Sequence, residues 1–308
     1  MINKKTFKEI DKLKKDNKSG ANEFIDKALK IITSQLNYIE DQNEDITLPF
    51  LELSKEIIFS RPNMAPLIHT IGFLIHDLEI ISKESLLFKI SKLKKEREIS
   101  FSNLALNFLS FLNSLQKDPL RLMLISYSST IIDLLDKYEK TNLIIYILES
   151  RPLFEGYRVA ELLSKKYETH LIIDAAMGKF LDRIDFVFIG VDSVLEDGSI
   201  INKIGTYPLT VLAKSINAQV YAICDSFKYN LLSHYGYEVK IEEKPIKEVY
   251  NKKIKQELLK VHNYYFDKTL PEYIDGVISD LGILTIKEFI EKVKNKFPID
   301  WFEKFIKL

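Results

Sequence analysis

The sequence predicts an α/β protein: an N-terminal helical domain over residues 1–118 and a C-terminal Rossmann-like, doubly wound parallel sheet over residues 119–308. Two observations carry this. Apolar residues in the first part recur at helical spacing with few β-rich segments. After Asp118-Pro119, five short hydrophobic runs alternate with amphipathic segments.

In FIDKALKIITSQLNYIE, residues Phe24, Ala28, Ile31, Ile32 and Ile39 form one helical stripe. LELSKEIIF, the stretch from Leu67 to Leu87, and Phe101 to Leu115 behave similarly, with breaks at Ser19-Gly20 and Arg61-Pro62. The runs LMLISYS, NLIIYILE, THLIIDA, FVFIGVD and QVYAICD then lead into STIIDLLDKYEK, EGYRVAELLSKK, AMGKFLDR, GTYPLTVLAKSIN and KYNLLSHYG. Strands apolar on both faces imply a parallel sheet covered by helices on each side, joined by right-handed crossovers. The stretch SVLEDGSIINKIGT between the fourth run and its helix reads as a loop.

Composition narrows the function. Forty-four cationic and 44 acidic residues give no net charge, so no global field favours nucleic acid or an anionic membrane. One cysteine excludes an intramolecular disulfide and any multi-cysteine zinc site, and it suits a reducing cytoplasm. No apolar run is long enough to span a bilayer, and the first residues lack a signal-peptide core, so a cytoplasmic, soluble protein is expected. Only six arginines occur (Arg61, Arg97, Arg121, Arg151, Arg158, Arg183), which makes each a candidate phosphate or carboxylate fork or else a surface ion-pair partner.

In open α/β sheets, ligands bind beyond the carboxyl ends of the strands. Those ends carry Ser126 to Ser129, Glu149 and Arg151, Asp174, Asp192 and Asp225. Asp174 and Asp225 read equally well as helix N-caps. Asp192 ends FVFIGV ahead of a glycine turn and the Asn202-Lys203 pair, which suits an acid/base or hydroxyl-binding group. No GxGxxG follows a strand and no GxxxxGK[ST] occurs, which disfavours dinucleotide and P-loop chemistry. The five histidines are scattered without metal-ligand spacing, so no metal and no cofactor is expected; Cys224, within VYAIC, reads as a buried thiol.

The segments ESRPLFEGYRVAELL, LIIDAAMG, FVFIGVDSVLEDGSIINKIGTYPLTVLAK and AICDSFKYN resemble the initiation factor 2B family, as do YFDKTLPEYIDGVISDLGILT, DNKSGAN and RPNMAPL. That family joins the alpha, beta and delta regulatory subunits of translation initiation factor 2B to isomerases of ribose 1,5-bisphosphate and methylthioribose 1-phosphate. The resemblance implies a cysteine and an aspartate flanking the sugar, with arginines and backbone amides on phosphate. Asp192 falls on the aspartate, Asn202 and Lys203 on the following pair, and Arg151 and Arg61 on two arginines. Ser126 stands at the cysteine position. The phosphate motif Arg-Gly-Ala reads Ser19-Gly20-Ala21, so Gly20 and Ala21 remain as ligand-binding candidates without their arginine.

A thiol near pKa ~8.5 exchanges protons at neutrality, whereas a serine hydroxyl needs an adjacent base. The expectation is therefore a non-catalytic factor 2B-like subunit, homodimeric or assembled with homologous subunits, that contacts initiation factor 2 and senses a sugar phosphate or nucleotide. The alternative is a sugar-phosphate isomerase whose acid/base role has moved, with Asp192 kept. A third reading makes the pocket a pure ligand sensor.

Overall fold

The computed structural model describes residues 3–16, 21–41, 46–61, 64–76, 82–254, 257–297 and 301. Its first part is helical: α1 (Lys4–Lys14), α2 (Ala21–Asp41), α3 (Thr47–Ser60), α4 (Ala65–Ile75) and α5 (Lys83–Ser114). The α2 stripe buries Phe24, Ile25, Ala28, Ile32 and Leu36. Helix α4 is apolar nearly all round, with Leu67, Ile68, Ile71 and Leu74 fully buried, and so lies inside the helical layer. Ser82 and Ser85 close a reciprocal capping box that fixes the start of α5. From there α5 runs unbroken for 32 residues.

Among the described residues ten strands follow: β1 (Leu120–Ile125), β2 (Leu143–Leu148), β3 (Glu168–Ile172), β4 (Phe186–Ile189), β5 (Ser193–Val194), β6 (Ile200–Lys203), β7 (Gln219–Ile223), β8 (Phe266–Thr269), β9 (Gly276–Ser279) and β10 (Gly282–Leu284). Between and after them lie α6 (Ser129–Lys137), α7 (Glu155–Leu163), α8 (Met177–Phe180), α9 (Thr206–Ser215), α10 (Leu231–His234) and α11 (Ile286–Lys296). The main sheet has the order β10-β9-β7-β4-β1-β2-β3. All its pairings are parallel except β10 on β9. The five hydrophobic runs are β1, β2, β3, β4 and β7 of this sheet.

Both faces of the sheet are covered over β1, β2 and β4, which is why those strands are largely apolar, while β3 lies at the edge and is partly exposed. Met123, Ile125, Val187, Ile189 and Ala222 pack in one cluster with α9, α11 and the N-terminal helices. Leu122, Leu124, Ile145, Ile147 and Phe188 pack in another with α6, α7 and the second half of α5. Helix α5 is shared: Leu86 and Ile90 belong to the first cluster, and Leu104, Phe108 and Leu112 to the second.

The stretch expected as a loop after Asp192 holds the β5–β6 hairpin, and β8 adds to it antiparallel as a small second sheet. Gly198, at φ 81°, makes the hairpin turn, a backbone conformation that disfavours any residue with a Cβ. The expected helices in AMGKFLDR and KYNLLSHYG last one turn each, as α8 and α10.

Candidate functional site at the split between β1 and β4

Strand β1 leaves the sheet toward α6 on one face, while β4 leaves toward the β5–β6 hairpin and α9 on the other. Chains departing to opposite sides open a crevice at the carboxyl ends of two adjacent parallel strands. A cavity of about 110 Å³ occupies it, lined by Ser126 to Thr130, Gly190 to Asp192, Asn202, Asp225, Lys228, Arg97 and Pro66. A second cavity of about 120 Å³ shares Asp192 and is lined by Arg61, Met64, Ile201, Glu242, Lys244, Tyr265 and Phe266. Gly190 keeps the first cavity's walls close: a Cβ there would meet the Ser128 Cβ at 3.0 Å.

Ser126 ends β1 in the left-handed region, at φ 66°. Its N–H donates to Ser150 Oγ over 2.8 Å, and Ser150 Oγ donates in turn to the Leu148 carbonyl. The N–H groups of Ser150 and Arg151 each donate to one carboxylate oxygen of Asp174, at 2.8 Å. Asp174 thus braces the loop after β2, and that loop braces Ser126. Asp225 caps the short turn that follows β7, accepting from the Phe227 N–H, and also lines the crevice.

Asp192 stands where the two cavities meet. Its N–H donates to the Ile201 carbonyl, tying it to β6. Burial raises its carboxyl above the ordinary carboxylate range, opposed by the positive charges of Lys228, Arg61 and Lys203. A carboxyl so balanced is able to hold or release a proton beside a bound ligand. Asn202, on β6, lines the crevice while its Nδ2 donates to Thr206 Oγ1.

The structure therefore gathers Ser126, Asp192 and Asn202 around one cavity, and places Arg61 with Asp192 at the other. The Arg61 guanidinium lies 4.5 Å from the Phe24 ring centroid, and burial lowers its pKa. Arg151 and Lys203 line neither cavity. Arg151 is exposed, its guanidinium 5.0 Å from the Phe154 ring centroid. Lys203 is buried in an ion pair with Glu155 at 2.6 Å. Gly20 lies outside the described residues, and Ala21 opens α2 with its side chain outside them too.

Two cations were not placed at the site by sequence reasoning: Arg97 was named only as one of six scarce arginines, and Lys228 not at all. Arg97, from the middle of α5, enters the first cavity beside the Asp225 charge, and burial lowers its pKa. Lys228 enters beside Asp192 and Asp225. Arg97 carried one signal, its scarcity as an arginine. Lys228 carried none among so many lysines. Cys224 is buried at the end of β7 with its thiol pKa pushed well up, and it lines neither cavity. Among the described residues no three His, Cys, Asp or Glu side chains gather as a metal centre.

The family model for the initiation factor 2 subunit family matches residues 17–286. Ribose 1,5-bisphosphate isomerase of Archaeoglobus fulgidus is 30% identical over 171 residues, 54% of this chain and 55% of that protein. The alignment thus spans about half the isomerase's length. A translation initiation factor eIF-2B subunit 2-like protein of Pyrococcus furiosus is 25% identical over 290 residues, 92% of this chain and 98% of that one. The solved translation initiation factor eIF-2B of Pyrococcus horikoshii OT3 has the same fold, with a TM-score of 0.75 at 22% identity over 92% and 98% of the two chains. Because the family match runs through the helical layer, the sheet and the crevice between them, the chain belongs to the initiation factor 2 subunit family.

Proposed function

We propose that the chain is a non-catalytic binding subunit of the initiation factor 2B type, whose crevice holds a phosphorylated small molecule without converting it. The observation that carries this reading is the hydroxyl of Ser126 at the end of β1, where the resemblance to the isomerases implies a thiol. A serine hydroxyl gives up its proton far less readily than a thiol and needs a base beside it. No histidine lines either cavity, and the one thiol of the chain is buried and lines neither. Losing a positioned acid/base costs roughly 10² to 10⁴-fold in rate. Arg97, Lys228 and Arg61 supply positive charge for a sugar phosphate or nucleotide.

Assembly with itself or with homologous subunits, and contact with initiation factor 2 in the cytoplasm, belong to the same proposal. Apolar side chains at the β3 edge support it: Leu171 is 45% exposed and Ile173 58%, beside exposed Leu153 and Tyr157. Size-exclusion chromatography and a pull-down with purified factor 2 subunits test this part. A strict monomer that captures no subunit would refute it.

The isomerase reading is favoured by one observation, the raised pKa of Asp192 among three cations. A coupled assay with ribose 1,5-bisphosphate and methylthioribose 1-phosphate separates the two. The expected result is no turnover above that of Asp192→Asn. Enzyme-like turnover abolished by that substitution would replace the proposal.

A further inference from the structure

Lys203 ends β6 with its side chain 3% exposed, and Glu155 opens α7 with its side chain 28% exposed. Their charged atoms lie 2.6 Å apart, and among the described residues neither Lys203 Nζ nor the facing Glu155 Oε2 has a further hydrogen-bond partner. The buried ammonium thus has Glu155 as its one contacting anion, with the Asp192 charge acting on it only from farther off. A lone ammonium at this depth would be costly, and any anion of the right size would relieve it.

The chain puts the carboxylate there by a specific route. Phe154 takes a left-handed conformation at φ 56°, and α7 begins at the next residue. Gly156 lets that first turn press onto β2, since a Cβ there would lie 1.9 Å from the Leu148 carbonyl oxygen. Glu155 is therefore held at the positive end of a nine-residue helix and against Lys203 at once. The ring centroid of Tyr265 lies 5.5 Å from Lys203 Nζ, and Tyr265 also walls the cavity that Arg61 enters. The paired lysine sits behind that wall.

We infer that Glu155 is a specificity-determining residue: its carboxylate occupies the place on Lys203 that an anionic ligand would take. A phosphorylated ligand in the crevice is held by Arg97, Lys228 and Arg61 and is barred from Lys203. This rests on the crevice being a binding site, as proposed above.

Calorimetric titration of the full chain with inorganic phosphate tests it, using wild type, Glu155→Gln and the double variant Glu155→Gln/Lys203→Gln. Glu155→Gln is expected to bind phosphate at least about tenfold more tightly than wild type, and the double variant to return to the wild-type affinity. No gain in Glu155→Gln overturns the inference. So does a double variant that binds more weakly than wild type, since Lys203 would then already hold the anion. If Glu155→Gln melts at a lower temperature because its ammonium is uncompensated, phosphate is expected to raise that temperature more than it raises the wild type's. A melting temperature indifferent to phosphate counts against Glu155. Wild type that binds phosphate with no gain in Glu155→Gln overturns the inference alone, whereas no binding by either protein overturns the proposed ligand sensing together with it.

Discussion

The backbone N–H of Ser126 donates to Ser150 Oγ over 2.8 Å, joining the two residues at which adjacent strands β1 and β2 turn left-handed, at φ 66° and 63°. Neither residue is glycine, so each conformation costs of order 1–3 kcal/mol that the surroundings must offset. Ser150→Ala removes the acceptor and is expected to lower stability by about 1–2 kcal/mol. Ser126→Gly, which tolerates the left-handed turn, is expected to recover about 1 kcal/mol in that background. Urea denaturation of the two single variants and the double variant measures both effects. An unchanged Ser150→Ala midpoint would show that the bond does not hold the turn.

Asp280 follows β9 and gathers three elements. It accepts from the Ser226 N–H at 2.7 Å, from Ser226 Oγ, from Ser100 Oγ on α5, and from Lys296 Nζ on α11 at 2.7 Å. Its side chain is essentially buried, so Asp280→Ala removes the shared acceptor of four donors at once, of which, among the described residues, Lys296 Nζ alone keeps another partner, Ser226 Oγ. A loss of about 3–5 kcal/mol is expected. Lys296→Met should cost less, because its ammonium is partly solvated. Chemical denaturation of both variants gives the ranking, and equal losses would contradict it.

His69, buried in α4, donates from Nε2 to the Tyr229 carbonyl at 2.8 Å and lies against Phe227 and Phe297. Burial pushes its imidazole from the ordinary 6.5 down to about 4. The unfolded chain therefore takes up a proton between those values while the folded chain does not. Stability is present in full above about 6.5 and falls as pH drops toward 4, by up to about 3 kcal/mol from this residue. His69→Phe is expected to be less stable at pH 7 but to lose this part of the slope. Urea midpoints across the window read it directly, and a slope unchanged by the substitution would assign the effect elsewhere.

Ser126→Cys places a thiol in the solvent-reached crevice, whereas native Cys224 is buried with its pKa pushed well up. Iodoacetamide is expected to label the variant once per folded chain at pH 8, and the wild type only after unfolding. Mass spectrometry distinguishes them. Rapid labelling of wild-type Cys224 would show that the end of β7 opens.

The sheet was legible because its central strands are largely apolar on both faces, so β1, β2, β4 and β7 stood out, and β3 showed through its apolar end, Leu171 to Ile173. Strands β5, β6 and β8 did not, because two to four residues beside a turn show no alternation to read. The rim of the site was partly legible for a related reason: a strand's carboxyl end is a position in sequence, and Ser126, Asp192 and Asn202 could be taken from it. Direction was not legible. Nothing in NKIGT tells that Asn202 faces the crevice while Lys203, one residue on, points to Glu155. That divergence follows from the alternation of side chains along β6 together with the approach of α7, and only the second is a tertiary fact. Arg97 shows the same limit, since a residue in the middle of a long helix has no local mark that a distant strand end lies opposite.

Helix α5, at 32 residues, is a rod about 48 Å long. One end is clamped in the helical layer and the other on the sheet, and Arg97 reaches the crevice from near its midpoint. Such a strut resists bending, so the two halves of the molecule cannot hinge independently about the crevice. Axial slip is opposed as well, because Ser100 Oγ and Asn107 Nδ2 on the same rod donate to Asp280 and to the Ser279 carbonyl, and this keeps the Arg97 charge beside Asp225.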